Sequence, residues 1–199
     1  MKRFLALVAI LAAFSTVSIA QTQAERDSAV QYLEKTRQGV LDATKGLSAA
    51  QWNFKPAPDR WSVAEVAEHI AAAEDLLFGS IQEQGMKAPA RAAGEDVKAI
   101  DAFVLAAIPD RSHKAQAPEP LKPTNRFTTP EATLKHFEES RAKTEEFVKS
   151  QQGLRDHASD SPLGKKLDPY EWVLFISAHS ERHTKQILEV KADPNFPKS

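Results

Sequence analysis

The 199-residue chain contains no cysteine. That absence excludes disulfides, zinc–thiolate sites and thiol nucleophiles together, so any metal must be held by nitrogen or oxygen. Glycine is scarce as well, seven in all, and neither a Gly-rich phosphate loop nor a nucleophile-elbow serine motif occurs, which removes the nucleotide-binding and serine-hydrolase classes. Charge of one sign is lacking: 26 Lys and Arg stand against 27 Asp and Glu, a formal balance of −1. Such a surface offers no electrostatic footprint for nucleic acid or an anionic membrane. No apolar run approaches the roughly twenty residues of a membrane span. Strict apolar–polar alternation, the mark of a half-buried strand, is also missing, as is any repeat of fixed period.

What is present begins with Met1-Lys2-Arg3, an apolar run from Phe4 to Phe14 and small residues ending at Ser18-Ile19-Ala20. This is the order of a secretory signal peptide. We read residues 1–20 as a leader cleaved near Ala20, with Ala24 as a second acceptable site, and residues 21–199 as one exported domain, periplasmic or secreted. Loss of Lys2 and Arg3 moves the formal balance to −3. With no cysteine, a lipoprotein anchor is not available.

Helical periodicity accounts for four long stretches, so the chain reads as all-α. The first runs from about Glu25 to Thr44, with Val30, Leu33, Val40 and Leu41 inward and Gly46 closing it. An ordered connection rich in aromatics and proline follows, containing Trp52, Phe54 and Trp61. Ser62 and Glu65 form a capping box that starts the second helix, with Val63, Val66, Ile70, Ala73 and Leu77 on one face and His69 beside them. From Gly85 to Pro130 the sequence turns rich in Ala, Pro and charge, with one short helical candidate at about Glu95 to Ile108. That segment is longer than a bundle loop normally is, and reads as a crossover joining the second and third long helices. The third starts at Thr129-Pro130 and carries Leu134, Phe137, Arg141, Thr144 and Val148 to about Gln151. The last is capped by Asp168, with Pro169 at its first position and Glu171 at its third, and runs to about Lys191. The expected fold is a four-helix bundle with a long crossover between helices two and three.

His179 and His183 stand four residues apart, one turn apart on one helical face, where two imidazoles can share an ion. They continue the apolar stripe of Trp172, Phe175, Ile176 and Ile187, and buried imidazoles are costly unless something satisfies them. His69 brings a third ring from another helix. Three imidazoles leave positions open for water or substrate, as catalytic rather than closed structural sites do. His179-Ser180-Glu181-Arg182-His183 is not a zinc-protease helix, because Glu181 lies roughly 200° round the helix from each histidine. Arg182 is expected to be an ion-pairing surface residue. Glu65, one turn before His69, is a candidate base whose alternative role is the capping box. Gln186 is a candidate to hydrogen-bond a ligand ring or a bound water. His113, His136 and His157 are not expected to ligate.

Leu47-Ser48 through Trp52, Lys55-Pro56, Arg60-Trp61-Ser62, Glu65 and His69, with His179-x3-His183-x2-Gln186-Ile187 near the end, resemble the DinB-like (DinB/YfiT) superfamily over about Glu25 to Val190. The resemblance implies a four-helix bundle with a three-histidine site, His69, His179 and His183, for one divalent ion such as zinc or nickel. It also implies pairing as a homodimer in many members, and activities that include metal-dependent transfer of low-molecular-weight thiols. Export argues against the thiol S-transferase role, because reduced thiol cofactors are mainly cytoplasmic. The reading is a metal-dependent enzyme, a hydrolase or a small-nucleophile transferase, on an unidentified small molecule. The alternative is a non-catalytic, metal-stabilised bundle that binds a partner in a groove lined by Trp52, Phe54 and Trp61.

Overall fold

Every long helix begins where the sequence supplies a cap. In the computed structural model, which describes residues 21–198, α1 spans Gln23–Thr44 and opens on a capping box between Thr22 and Glu25. The leader assigned to residues 1–20 lies outside the described residues. Helix α1 ends before Gly46, which sits at φ +70°, a conformation that costs glycine little. A short helix α2, Ala49–Asn53, is capped by Ser48. Helix α3, Val63–Glu83, opens on the Ser62–Glu65 capping box. The crossover contains a 3-10 turn over Gly85–Lys87, then α4, Val97–Ala107, capped by Asp96, and a second 3-10 turn over Glu119–Leu121. Helices α5, Pro130–Ser150, and α6, Pro169–Lys191, carry proline in the first turn behind Thr129 and Asp168 caps. Each such cap is worth about 1 kcal/mol.

Helices α1, α3, α5 and α6 form the bundle. Helix α1 packs beside α5 and α6, and α3 packs beside the same two. The first two long helices of the chain are therefore diagonal to each other, which the lengthy connections permit. The sequence reading corresponds closely in element bounds, with two corrections. The link after α5 holds a minimal antiparallel pair, Ser159–Asp160 with Lys166–Leu167, too short to show alternation. Helix α6 is also more than one apolar stripe: every residue from Pro169 to Ala178 is buried. Helix α4 packs on α6 and covers the face that a four-helix bundle would leave to solvent, which is why Trp172-Val173-Leu174-Phe175-Ile176 is apolar all round.

One buried ion pair ties the four bundle helices together. Arg141 on α5 and Glu74 on α3 are fully buried. The guanidinium donates to both Glu74 oxygens, to the Leu33 carbonyl and Thr36 Oγ1 (2.8 Å) on α1, and to Ser180 Oγ (2.8 Å) on α6. Burying a charge is tolerable only with such complete pairing. A second ionic cluster caps the N-terminal end of α6. There Arg155 donates to Asp101, Asp168 and Glu25, while Arg91 binds Asp168 and Glu171. No helix among the described residues is long and apolar enough to cross a membrane.

Candidate metal centre

The apolar faces of α3 and α6 meet around Val66, Ile70 and Ile187, and the same packing brings His69 against His179 and His183. His69 Nε2 lies 3.1 Å from His179 Nε2 and 3.1 Å from His183 Nε2. One nitrogen from each ring falls within 4.8 Å of the others, and no carboxylate among the described residues joins the group. His69 and His183 are buried, at 3% and 8% exposure, whereas His179 is half-buried and gives the trio an open side. Trp61 walls it, its ring 4.9 Å from that of His69.

The tautomers follow from what each ring touches. His69 Nδ1 lies 2.8 Å from the Leu121 carbonyl, which can only accept, so Nδ1 carries the proton and Nε2 is bare. His183 Nδ1 lies 2.8 Å from Gln186 Oε1. Arg111 Nη1 also donates to that oxygen, at 3.4 Å, which fixes the amide orientation and makes His183 Nε2 bare as well. Two lone pairs thus face each other at 3.1 Å with no proton between them. That arrangement is repulsive alone and correct around a cation. Metal–imidazole bonds of about 2.0–2.1 Å in a tetrahedron separate the nitrogens by about 3.3 Å, close to the two 3.1 Å separations from His69 Nε2.

All three rings are held in the neutral, ligating form. Burial lowers the His69 pKa, assisted by Arg126. Burial lowers His179 and His183 well below the usual range, with the neighbouring rings and Arg182 adding to it.

The other candidates are engaged elsewhere. Glu65 Oε2 accepts from the Ser62 N–H and Oε1 from Lys55 Nζ, both at 2.8 Å, which is its capping role. Glu181 faces away from the trio toward Tyr32 Oη and Lys185 Nζ. His136 pairs with Asp75, His157 with the Ala88 carbonyl, and His113 sits exposed in the crossover. Arg182 departs from expectation. Among the described residues it makes no direct ion pair; it donates to the carbonyls of Ile108, Asp110 and His113, with the carboxylates of Asp110 and Glu189 acting on its charge from further off. The expected aromatic groove is divided. Trp52 lines a cavity of about 440 Å³ with Phe127, Glu68 and Asn125, Phe54 packs edge-on against Phe196, and Trp61 belongs to the histidine trio.

Sequence reasoning missed Leu121 and Arg111. Both lie in the crossover and act on the rings through a backbone carbonyl and an intervening glutamine. A backbone acceptor leaves no side-chain pattern to read.

A four-helix bundle with an inward-facing histidine trio on two of its helices is thus the class that fold and site define. The DinB superfamily pattern matches residues 32–187, and the chain belongs to that superfamily. It is 26% identical over 148 residues to the uncharacterized protein YuaE of Bacillus subtilis (strain 168), a match covering 74% of this chain and 87% of that one. Its fold is similar to that of YfiT from Bacillus subtilis, described as a probable metal-dependent hydrolase with an unusual four-helix bundle topology. The TM-score is 0.58 at 14% identity, over 89% of this chain and 91% of that chain. At that identity the likeness concerns the fold.

Proposed function

We propose that this chain is a metal-dependent enzyme that holds one divalent ion, zinc or nickel, through Nε2 of His69, His179 and His183 and acts on a small molecule by hydrolysis or transfer of a small nucleophile. The observation that carries the reading is the pair of bare nitrogens 3.1 Å apart on His69 and His183, an arrangement only a cation makes favourable. An ion with an open position supplies Lewis acidity and a nucleophilic water near neutral pH. The protein's own part is orientation: the Leu121 carbonyl and Gln186 fix two rings and their tautomers, and half-buried His179 leaves access from solvent. Glu65, Glu68, Glu181 and Glu189 are each committed to a cation or a backbone N–H. Proton transfer then falls to substrate or solvent water. Export, which the pattern of residues 1–20 supports, would place this chemistry outside the cytoplasm.

Chelator-stripped protein, reloaded with zinc or nickel, should be screened against esters, lactones and amides beside His179→Ala. Turnover confined to the loaded wild type is the expected result. Equal turnover by stripped protein would overturn the metal dependence, and none by any form would leave the metal-stabilised binding protein as the better account.

A further inference from the structure

The carbonyl that orients His69 comes from the crossover, not from a bundle helix. An orienting group holds a ligand ring only as firmly as it is held itself. Leu121 is buried at the end of its 3-10 turn, and Pro120 and Pro123 fix φ on either side of the Leu121-Lys122 pair. Those restraints limit the segment but do not by themselves aim one of its carbonyls.

Arg126 braces the segment. One nitrogen of its guanidinium, Nη2, donates to the Pro120 carbonyl at 2.7 Å and to the Lys122 carbonyl at 2.8 Å. The peptides before and after the one that carries the Leu121 oxygen are therefore both pinned. That middle peptide is held at its other end, where the Lys122 N–H donates to the Glu119 carbonyl at 3.2 Å. The Leu121 oxygen, 2.8 Å from His69 Nδ1, can turn from the ring only by breaking one of these bonds. The brace is also tied to the helix that carries the ring. Arg126 Nε lies 3.3 Å from Glu68 Oε1, and the same oxygen accepts the Thr124 N–H at 2.6 Å. Glu68 is buried and immediately precedes His69 on α3.

We propose that Arg126 is a positioning residue for the metal centre: by clamping the carbonyls on both sides of Leu121 and anchoring them to α3 through Glu68, it holds the Leu121 oxygen against His69 Nδ1 and so keeps Nε2 bare for an ion. This rests on the metal reading above and deepens it. An effect of Arg126 through its charge would have the opposite sign. A cation near the centre repels a divalent ion, so by charge alone its removal would tighten metal binding. Loss of the brace instead frees the carbonyl, lets the His69 proton move to Nε2 and weakens metal binding.

Two readouts test this in wild type, Arg126→Leu and Lys122→Met: zinc affinity by competition with a chromophoric chelator, and the protonation of the His69 ring nitrogens by nitrogen NMR of the metal-free protein, assigned against His69→Ala. Lys122→Met removes an exposed ion pair to Glu119 from the same segment and leaves the carbonyl fork intact. Arg126 is exposed, so its replacement should leave the bundle folded, which circular dichroism checks. The expected result for Arg126→Leu is about tenfold weaker zinc binding, the low end of the range for groups that orient a ligand, with the His69 proton now found on Nε2. Lys122→Met should bind zinc within about twofold of wild type and keep that proton on Nδ1. An Arg126→Leu protein that binds zinc as tightly as wild type or more tightly, that keeps the proton wholly on Nδ1, or that is matched in both readouts by Lys122→Met would overturn the proposal. Wild type that takes up neither zinc nor nickel would overturn the metal reading instead, and the tautomer comparison, made without metal, would still decide whether Arg126 sets the ring.

Discussion

Replacing Gln186 with leucine tests how the trio is held. The side chain's Oε1 accepts the His183 Nδ1 proton at 2.8 Å and is steadied by Arg111 at 3.4 Å. Leucine keeps the bulk and helix propensity of glutamine and removes that acceptor. His183 is then free to rotate and to adopt the tautomer with its proton on Nε2, which cannot ligate. Loss of a group that orients a metal-binding histidine lowers metal affinity by about 10- to 100-fold, or about 1.4–2.7 kcal/mol. Competition for zinc against a chromophoric chelator measures this directly, with thermal unfolding of the metal-free protein as a control. Gln186 is half-buried near the C-terminal end of α6, so the metal-free protein should lose little stability. Gln186→Glu, which places a charged acceptor against the same ring, should bind zinc at least as tightly as wild type. A Gln186→Leu affinity within twofold of wild type would refute the assignment of tautomer and orientation.

Three other perturbations probe the buried ion pair, the Glu25 cluster and the crossover. Arg141→Met leaves Glu74 buried with Ser180 as a hydrogen-bond partner (3.1 Å) and should destabilise the protein by about 3–5 kcal/mol, lowering Tm by about 10 °C or more; Glu74→Leu/Arg141→Met should recover most of that, and a single variant within 1 kcal/mol of wild type by denaturant titration would contradict the account. Burial raises the Glu25 carboxyl, but Lys98, Thr22 and Arg155 outweigh it and bring its pKa from 4.5 to about 2. A depressed acid contributes stability that is present above about pH 4.5 and is lost as pH falls toward 2. Lys98→Met should therefore begin acid unfolding at higher pH than wild type when followed by circular dichroism, and coincident curves would count against the pairing. Finally, because Leu121 and Arg111 both act on the rings, zinc should increase hydrogen-exchange protection across residues 108–124; uptake with unchanged exchange there would separate the crossover from the site.

Much of this molecule was legible because its instructions are local. Ser62 with Glu65 and Asp168 with Glu171 are cap and partner three residues apart, so they mark helix starts without any knowledge of the fold. The four-residue spacing of His179 and His183 likewise fixes their common face once the helix is granted. His69 was less local, and needed both its place beside an apolar stripe and the family resemblance. Arg141 and Thr144 stand at helical spacing with Phe137 and Val148 on α5, yet nothing near them in sequence names Glu74 or marks them as buried. The crossover resisted reading for a physical reason. Its work is done by carbonyls: Leu121 toward His69, and Ile108, Asp110 and His113 toward Arg182. Every residue carries such a carbonyl, so composition cannot reveal which ones are used. The same blindness made Arg182 look like an ordinary surface ion-pairing residue.

Elemental analysis of the purified wild-type protein, beside a His69→Ala/His179→Ala/His183→Ala variant shown by circular dichroism to remain helical, tests the central claim most directly. The account predicts about one zinc or nickel ion per wild-type chain and none in the folded variant. Metal-free wild type even after incubation with both ions, or equal metal in the variant, would contradict it.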